Sequence, residues 1–276
     1  MPESDTIFRA ARTLHRALAG RTVTRFDSVF PHLTRVHDTT PLTGRVIDRV
    51  EPRGKHLLMW FSGGLVLRTH MRMNGSWHIY RPGERWQRPH ADMRIVIETD
   101  TMHAVAFSVP VAELTTADGL ARTPQIRDMG PDPLSGSFDE SAAVARIRAR
   151  EDMEIADALL DQTAIAGIGN VYKSETLFAA RVSPFARVSS LPPETVRLLV
   201  TTASALMRAN LGGTSGAGIV TYRGLRRTTG RSDPSARLWV YGRGGEPCRR
   251  CGTPIARGRQ GPYARSTYWC PRCQAS

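Results

Sequence analysis

The chain has 276 residues, 41% of them hydrophobic and 23% charged, which is ordinary globular composition and long enough for two domains and a small module. A formal net charge of +13 with pI ≈ 10.7 points to a polyanionic partner and makes nucleic acid the first expectation, with a merely solvated basic surface as the bland alternative. No run of eighteen apolar residues exists, so no membrane partner is expected. MPESDTIFRA carries acids and lacks an apolar core, so no secretory signal is expected either, and the reading is an intracellular, cytoplasmic protein.

In chain order, a helix is expected after Ser4: Ile7, Ala10, Ala11, Leu14 and Leu18 share one face, Gly20 ends the pattern, and Ser4 or Asp5 could cap it. Seven short β-rich segments follow, RTVTRFDSVF, GRVIDRVEP, KHLLMWFS, GLVLRTHM, SWHIYR, MRIVIETD and MHAVAFSV, separated by Gly, Pro or Asp. This pattern suggests a sandwich or barrel. MGPDPLSGSFD reads as a linker. The period then becomes helical in DESAAVARIRAR, EIADALLDQ, GNVYKSETLFAA and PPETVRLLVTTASALMRANL, with IAGIGN as a turn. Residues 212–238 read as a loop.

All four cysteines lie near the end, as C-x2-C-x18-C-x2-C from Cys248, Cys251, Cys270 and Cys273. The spacing suits one structural zinc held by four thiolates, which leaves no open coordination position for catalysis. Two disulfides are the alternative. The basic residues are almost all arginine; Lys55 and Lys173 are the only lysines.

MPESDTIFRAARTL, RGKHLL, LRTHMRMNGSW, AGIGNVYKSETLFAARVSP and the cysteine-bearing tail together resemble the formamidopyrimidine-DNA glycosylase/endonuclease VIII family over nearly the full length. The resemblance implies a multidomain α+β fold. An N-terminal helix plus β-sandwich would occupy residues 1–130, a helix–two-turn–helix domain 131–235, and a zinc-finger β-hairpin 236–276. It implies a bifunctional glycosylase/AP lyase of base excision repair. The partner would be damaged double-stranded DNA, with one zinc, no organic cofactor, and a monomer.

By that resemblance Pro2 is the nucleophile. With Met1 removed, its secondary amine ionises near 8, about two units below lysine, so much of it is neutral at pH 7. Alone, Pro2 would read as a helix-N1 proline. Glu3 would be the general acid/base, or simply an acid at a helix N-terminus. Lys55, opening an apolar strand, matches the family's essential β-domain lysine, and Arg265 its zinc-finger arginine. His70 and Asn170 would grip phosphates, Asn170 from a helix start preceded by Gly167 and Gly169. Arg127 joins the DNA-binding set.

Chemistry at C1′ requires an extruded nucleotide, and Arg72, Met73 and Asn74 would fill the gap, Met73 as wedge. Core packing is the other reading of Met73. MHAVAFSVPVAEL lacks the later Arg-Phe wedge loop of the formamidopyrimidine branch, which favours endonuclease VIII and oxidised pyrimidines. The ribbon YGRGGEPCRRCGTPI resembles the other branch, so an oxidised-purine glycosylase stays open, as does a non-catalytic DNA-binding paralogue. Thr214–Arg231 carries no clear base-reading motif. Position 4 is Ser where the family usually has Gly.

Overall fold

The computed structural model describes residues 2–212, 226–229 and 234–275. They form two compact units, which meet in sequence between Arg127 and Asp128. The expected loop over 212–238 lies outside the described residues except for 212, 226–229 and 234–238.

The first unit opens with α1 (Ser4–Leu18), whose predicted face of Ile7, Ala10, Ala11, Leu14 and Leu18 is buried. The cap is Glu3 rather than Ser4 or Asp5: the Glu3 carbonyl accepts from Thr6 N at 2.9 Å and Ile7 N at 3.2 Å. Ser4 falls inside the helix because its hydroxyl is committed elsewhere.

β1 (Arg25–Ser28), α2 (Pro31–Thr39), β2 (Ile47–Arg53), β3 (His56–Phe61), β4 (Leu65–His70), β5 (Ser76–Tyr80), β6 (Met93–Glu98), β7 (His103–Phe107) and β8 (Val111–Thr116) follow. Two short helices, α3 (Ala117–Arg122) and α4 (Pro124–Arg127), close the unit. The strands form two antiparallel four-stranded sheets, β1-β6-β7-β5 and β2-β3-β4-β8. This is the sandwich, with no barrel closure among the described residues. Its core takes Leu57, Met59, Leu65 and Leu67 from one sheet, Trp77, Ile95, Ile97 and Ala106 from the other, and the apolar face of α1. Period-2 alternation is muted because several strands are buried on both faces: β5 is buried at all its positions.

In the second unit, α5 (Glu140–Arg148), α6 (Ile155–Ala158), α7 (Asn170–Ala179) and α8 (Pro193–Ala209) precede the hairpin of β9 (Ala256–Gln260) and β10 (Arg265–Trp269). Asp139 caps α5, its carboxylate accepting from Ala142 N at 2.8 Å. α7 and α8 pack together, and α7 also packs on β10.

Candidate functional site

In the first unit the chemistry-bearing residues gather where α1 begins. Pro2 and Glu3 are buried, and Ser4, Asp5 and Thr6 after them are buried too. Polar residues at a buried helix start are uncommon unless each is satisfied. Ser4 Oγ donates to the Gly54 carbonyl at 3.0 Å, and Asp5 pairs with Arg9 at 3.4 Å. Gly54 and Lys55 form the two-residue turn of the β2–β3 hairpin, since Arg53 pairs with His56. Gly54 has φ +55°, a conformation that favours glycine. The Ser4 bond therefore brings the half-buried Lys55 turn against the segment that begins with Pro2 and Glu3.

Behind Lys55 lie two histidines. The His56 and His70 rings meet edge-on with centroids 4.8 Å apart. Arg68 donates to His56 Nδ1 at 3.3 Å and to Glu113 Oε2 at 2.7 and 2.9 Å. An arginine can only donate, so His56 Nδ1 is the acceptor and Nε2 carries the proton. Burial, then His70, Arg68 and Lys55, push His56 down to about 3. Burial, then Lys55, Arg72 and Arg68, push His70 down to about 4. Both rings are thus neutral at pH 7 amid the cations Lys55, Arg68 and Arg72, an arrangement suited to receiving an anion.

His70 Nδ1 accepts from Arg72 N at 3.1 Å, which leaves Nε2 as its donor. That bond holds the turn after β4. Arg72 has φ +46°, and Gly75 N donates to the Met71 carbonyl at 2.9 Å. A Cβ on Gly75 would fall 2.6 Å from that carbonyl oxygen, so only glycine closes the turn. Arg72, Met73 and Asn74 are exposed on it. Met73 is 57% exposed, which removes the core-packing reading. Arg127 is exposed at the end of α4.

In the second unit, Gly169 caps α7 and Asn170 is its first residue. Gly167, at φ +87°, makes the approach, and its N–H donates to Gln162 Oε1 at 2.9 Å. Asn170 Oδ1 is buried and has no hydrogen-bond partner among the described residues. Three residues on, the fully buried Lys173 donates to the Ser266 carbonyl at 3.1 Å and Thr267 Oγ1 at 2.7 Å. The second lysine thus fixes β10 next to Arg265, whose own side chain is exposed.

Glu175, also fully buried, accepts from the N–H groups of Trp239, Val240 and Tyr241 at 2.8–2.9 Å and from the Thr228 hydroxyl. Sequence reasoning missed both anchors. The available signal was a run of polar residues, Lys173, Ser174, Glu175 and Thr176, set between the apolar residues of one helix.

The four cysteines are unbridged, and their sulfurs all lie within 4.8 Å of one another. Cys248 and Cys273 are 3.9 Å apart and Cys251 and Cys270 3.5 Å. A tetrahedron of Zn–S bonds of about 2.3 Å needs edges of about 3.8 Å, so the residues fit zinc and not disulfides. Arg250 N and Cys273 N donate to the sulfurs of Cys248 and Cys270, each at 3.4 Å. The four thiolates form one structural zinc site.

Three family models match. The formamidopyrimidine-DNA glycosylase N-terminal domain covers residues 1–110, its H2TH domain 129–221, and the zinc finger found in FPG and IleRS 245–275. The chain is 42% identical over 278 residues to a probable endonuclease 8 2 of Streptomyces coelicolor, covering 100% of this chain and 94% of that protein. It is 37% identical to the DNA-(apurinic or apyrimidinic site) lyase Nei2 of Mycolicibacterium smegmatis, covering 100% of both. Among solved structures, MutM in complex with carbocyclic 8-oxo-G containing DNA aligns at TM-score 0.82 and 24% identity over 100% of both chains.

Proposed function

Because this chain belongs to the formamidopyrimidine-DNA glycosylase/endonuclease VIII family, we propose that it is a bifunctional DNA glycosylase/AP lyase of base excision repair, with Pro2 as nucleophile. The supporting observation is the Ser4–Gly54 hydrogen bond, which packs the segment beginning with Pro2 and Glu3 against the Lys55 turn.

In this reading, loss of Met1 frees the Pro2 amine. Its lone pair attacks C1′ of the extruded nucleotide, and the glycosidic bond breaks with its electron pair leaving on the base. Glu3 supplies the proton that opens the sugar and takes protons back later; Lys55 faces the departing base and the phosphate. The resulting iminium acidifies C2′–H. Deprotonation there expels the 3′ phosphate, and a second deprotonation at C4′ expels the 5′ phosphate, with Arg265 stabilising that leaving group. Water then hydrolyses the iminium and restores the amine. His70, Arg127 and Asn170 hold the backbone, and Arg72, Met73 and Asn74 fill the vacated stack.

The substrate class is oxidised pyrimidines. Only residues 108–110 separate β7 from β8, which leaves no room there for an additional wedge loop. The endonuclease 8 name of the Streptomyces coelicolor relative supports the endonuclease VIII branch. The protein would act as a monomer on damaged duplex DNA, without an organic cofactor, at the nucleoid. Among the described residues no helix is long and apolar enough to cross a membrane.

Borohydride trapping with oligonucleotides carrying an abasic site or single oxidised pyrimidine or purine lesions tests the reading. A covalent adduct mapping to residue 2, formed with pyrimidine lesions ahead of purine ones, is expected. Full activity with a blocked N-terminus would refute the mechanism, and preference for purine lesions would refute the substrate class.

A further inference from the structure

The hairpin of the zinc module ends in a turn that no role above accounts for. Gly261 (φ +69°) and Ala264 (φ +47°) bracket it, and Ala264 N donates to the Gly261 carbonyl at 3.0 Å. Tyr263 stands at its tip and is 79% exposed, more than Val29, Met73, Phe185 or Leu198, the other exposed large apolar side chains among the described residues. Its hydroxyl makes no hydrogen bond among the described residues. Its one aromatic contact is with a functional side chain: the Arg265 guanidinium carbon lies 5.7 Å from the ring centroid.

The turn is held rigidly. A Cβ on Gly261 would collide with the Asp157 carboxylate. At the base of the hairpin, Thr267 Oγ1 donates to Gln260 Oε1 at 2.8 Å and receives Lys173 Nζ. Gln260 donates to the Pro184 carbonyl at 2.9 Å.

A single exposed aromatic is common on any surface and usually means nothing. Here two further facts narrow the meaning. The ring is presented by a turn held against the rest of its unit, and a tyrosine has only two side-chain torsions to fix when it stacks. It is also interleaved with Arg257, Arg259 and Arg265 of the same hairpin in a chain of net charge +13, the pattern of a strand-tracking nucleic-acid surface. A purely apolar protein partner would find those arginines costly to bury.

We propose that Tyr263 is a further DNA-contacting residue, its ring stacking on a base face uncovered beside the lesion when the nucleotide leaves the stack, on the strand whose phosphate Arg265 holds, while the same ring steadies the Arg265 guanidinium. The inference rests on the reading of the chain as a lesion-DNA enzyme. The stack is neutral and would read no particular base, so it adds affinity near the lesion without adding a phosphate contact.

The test is binding of the full zinc-loaded chain to a duplex bearing a tetrahydrofuran abasic analogue, at several salt concentrations, for the unchanged chain, Tyr263→Phe, Tyr263→Ala and Arg265→Ala. Tyr263→Phe should bind within about two-fold of the unchanged chain. Tyr263→Ala should bind about ten-fold more weakly, the scale of one lost base–aromatic stack. Its slope of log K against log salt should not change, whereas Arg265→Ala should flatten that slope by about 0.9, the signature of one phosphate contact. A 2-aminopurine beside the abasic analogue should be quenched by the unchanged chain and not by Tyr263→Ala. Binding by Tyr263→Ala within about two-fold of the unchanged chain would overturn the proposal. So would a loss accompanied by lower zinc content or melting temperature, which would assign the ring a structural part. Failure of the unchanged chain itself to bind or be trapped would strike the proposed function, and this inference with it.

Discussion

Ser4 Oγ and the Gly54 carbonyl are joined by a buried hydrogen bond of 3.0 Å across fifty residues of sequence. A glycine at position 4 would have no hydroxyl to make it. Ser4→Ala removes one donor from a buried carbonyl, which costs about 1–2 kcal/mol. In a chain of this size that lowers the melting temperature by a few degrees. Because the bond seats the Lys55 turn, adduct formation on abasic DNA should slow as well, and Ser4→Thr should restore both. Unchanged melting and trapping rates in Ser4→Ala would show that the tether does not position Lys55.

The paired histidines set an acid limit. His56 is held down to about 3 and His70 to about 4, first by burial and then by each other or by Lys55, Arg68 and Arg72. In the unfolded chain both protonate near 6.5. Between these values the unfolded state binds more protons, so stability falls as pH falls. The contribution is fully present above about pH 6.5 and is lost as pH approaches 4 and then 3. Each unit of displacement is worth about 1.4 kcal/mol, so the two rings together make an acid loss of several kcal/mol. His70→Asn keeps an acceptor for the Arg72 N–H but does not titrate. Its melting temperature should therefore decline less than that of the unchanged chain between pH 6.5 and 4; superimposable profiles would refute the assignment.

Some of this was legible in the sequence, and the reasons differ from element to element. The buried face of α1 announced itself because Ile7, Ala10, Ala11, Leu14 and Leu18 keep helical period without interruption. The zinc site is local in sequence at each end, so spacing alone suffices. α2 has no readable sequence signal, because only Leu33 of PHLTRVHDT is buried and no apolar stripe forms. β8 is hard to read as a strand, although Ala112 and Leu114 alternate inward, because it starts directly after Pro110. EIADALLDQ yields only the short α6, since directly after it the Leu160 and Asp161 N–H groups donate to the Asp157 and Ala158 carbonyls three residues back, which tightens the chain into a turn. Lys173 and Glu175 had no readable role because their partners, backbone groups and two threonine hydroxyls, lie 53 to 94 residues away. Contacts of that kind become visible only when the chain is folded.

Zinc removal should act through Arg265. β10 runs directly into Cys270, so the metal fixes the end of the strand that begins with Arg265. Cys251→Ser or Cys270→Ser should lower bound zinc by about one equivalent per chain and weaken binding to lesion DNA. The sandwich, a separate compact unit, should keep its far-ultraviolet signature. Metal analysis of the folded chain that found iron, or no metal, would end the assignment.

Met73 offers the sharpest separation of packing from recognition. It is 57% exposed on a turn closed by Gly75 and anchored by His70, so truncation leaves no cavity. A buried methionine would lose about 2–5 kcal/mol on replacement by alanine, whereas an exposed one should lose less than about 0.5 kcal/mol. The melting temperature of Met73→Ala should therefore stay within about a degree of that of the unchanged chain. Extruding a nucleotide from a duplex costs a few kcal/mol of stacking, and a side chain that enters the gap offsets part of that cost. Met73→Ala should accordingly slow excision of a lesion in paired DNA, by about ten-fold if roughly 1.4 kcal/mol of the offset is lost. An abasic site in single-stranded DNA has no stack to hold open, so trapping on that substrate should be unaffected. Met73→Leu, which keeps an apolar wedge of similar volume, should recover most of the paired-substrate rate. Equal slowing on both substrates would mean that Met73 acts through something other than the duplex gap.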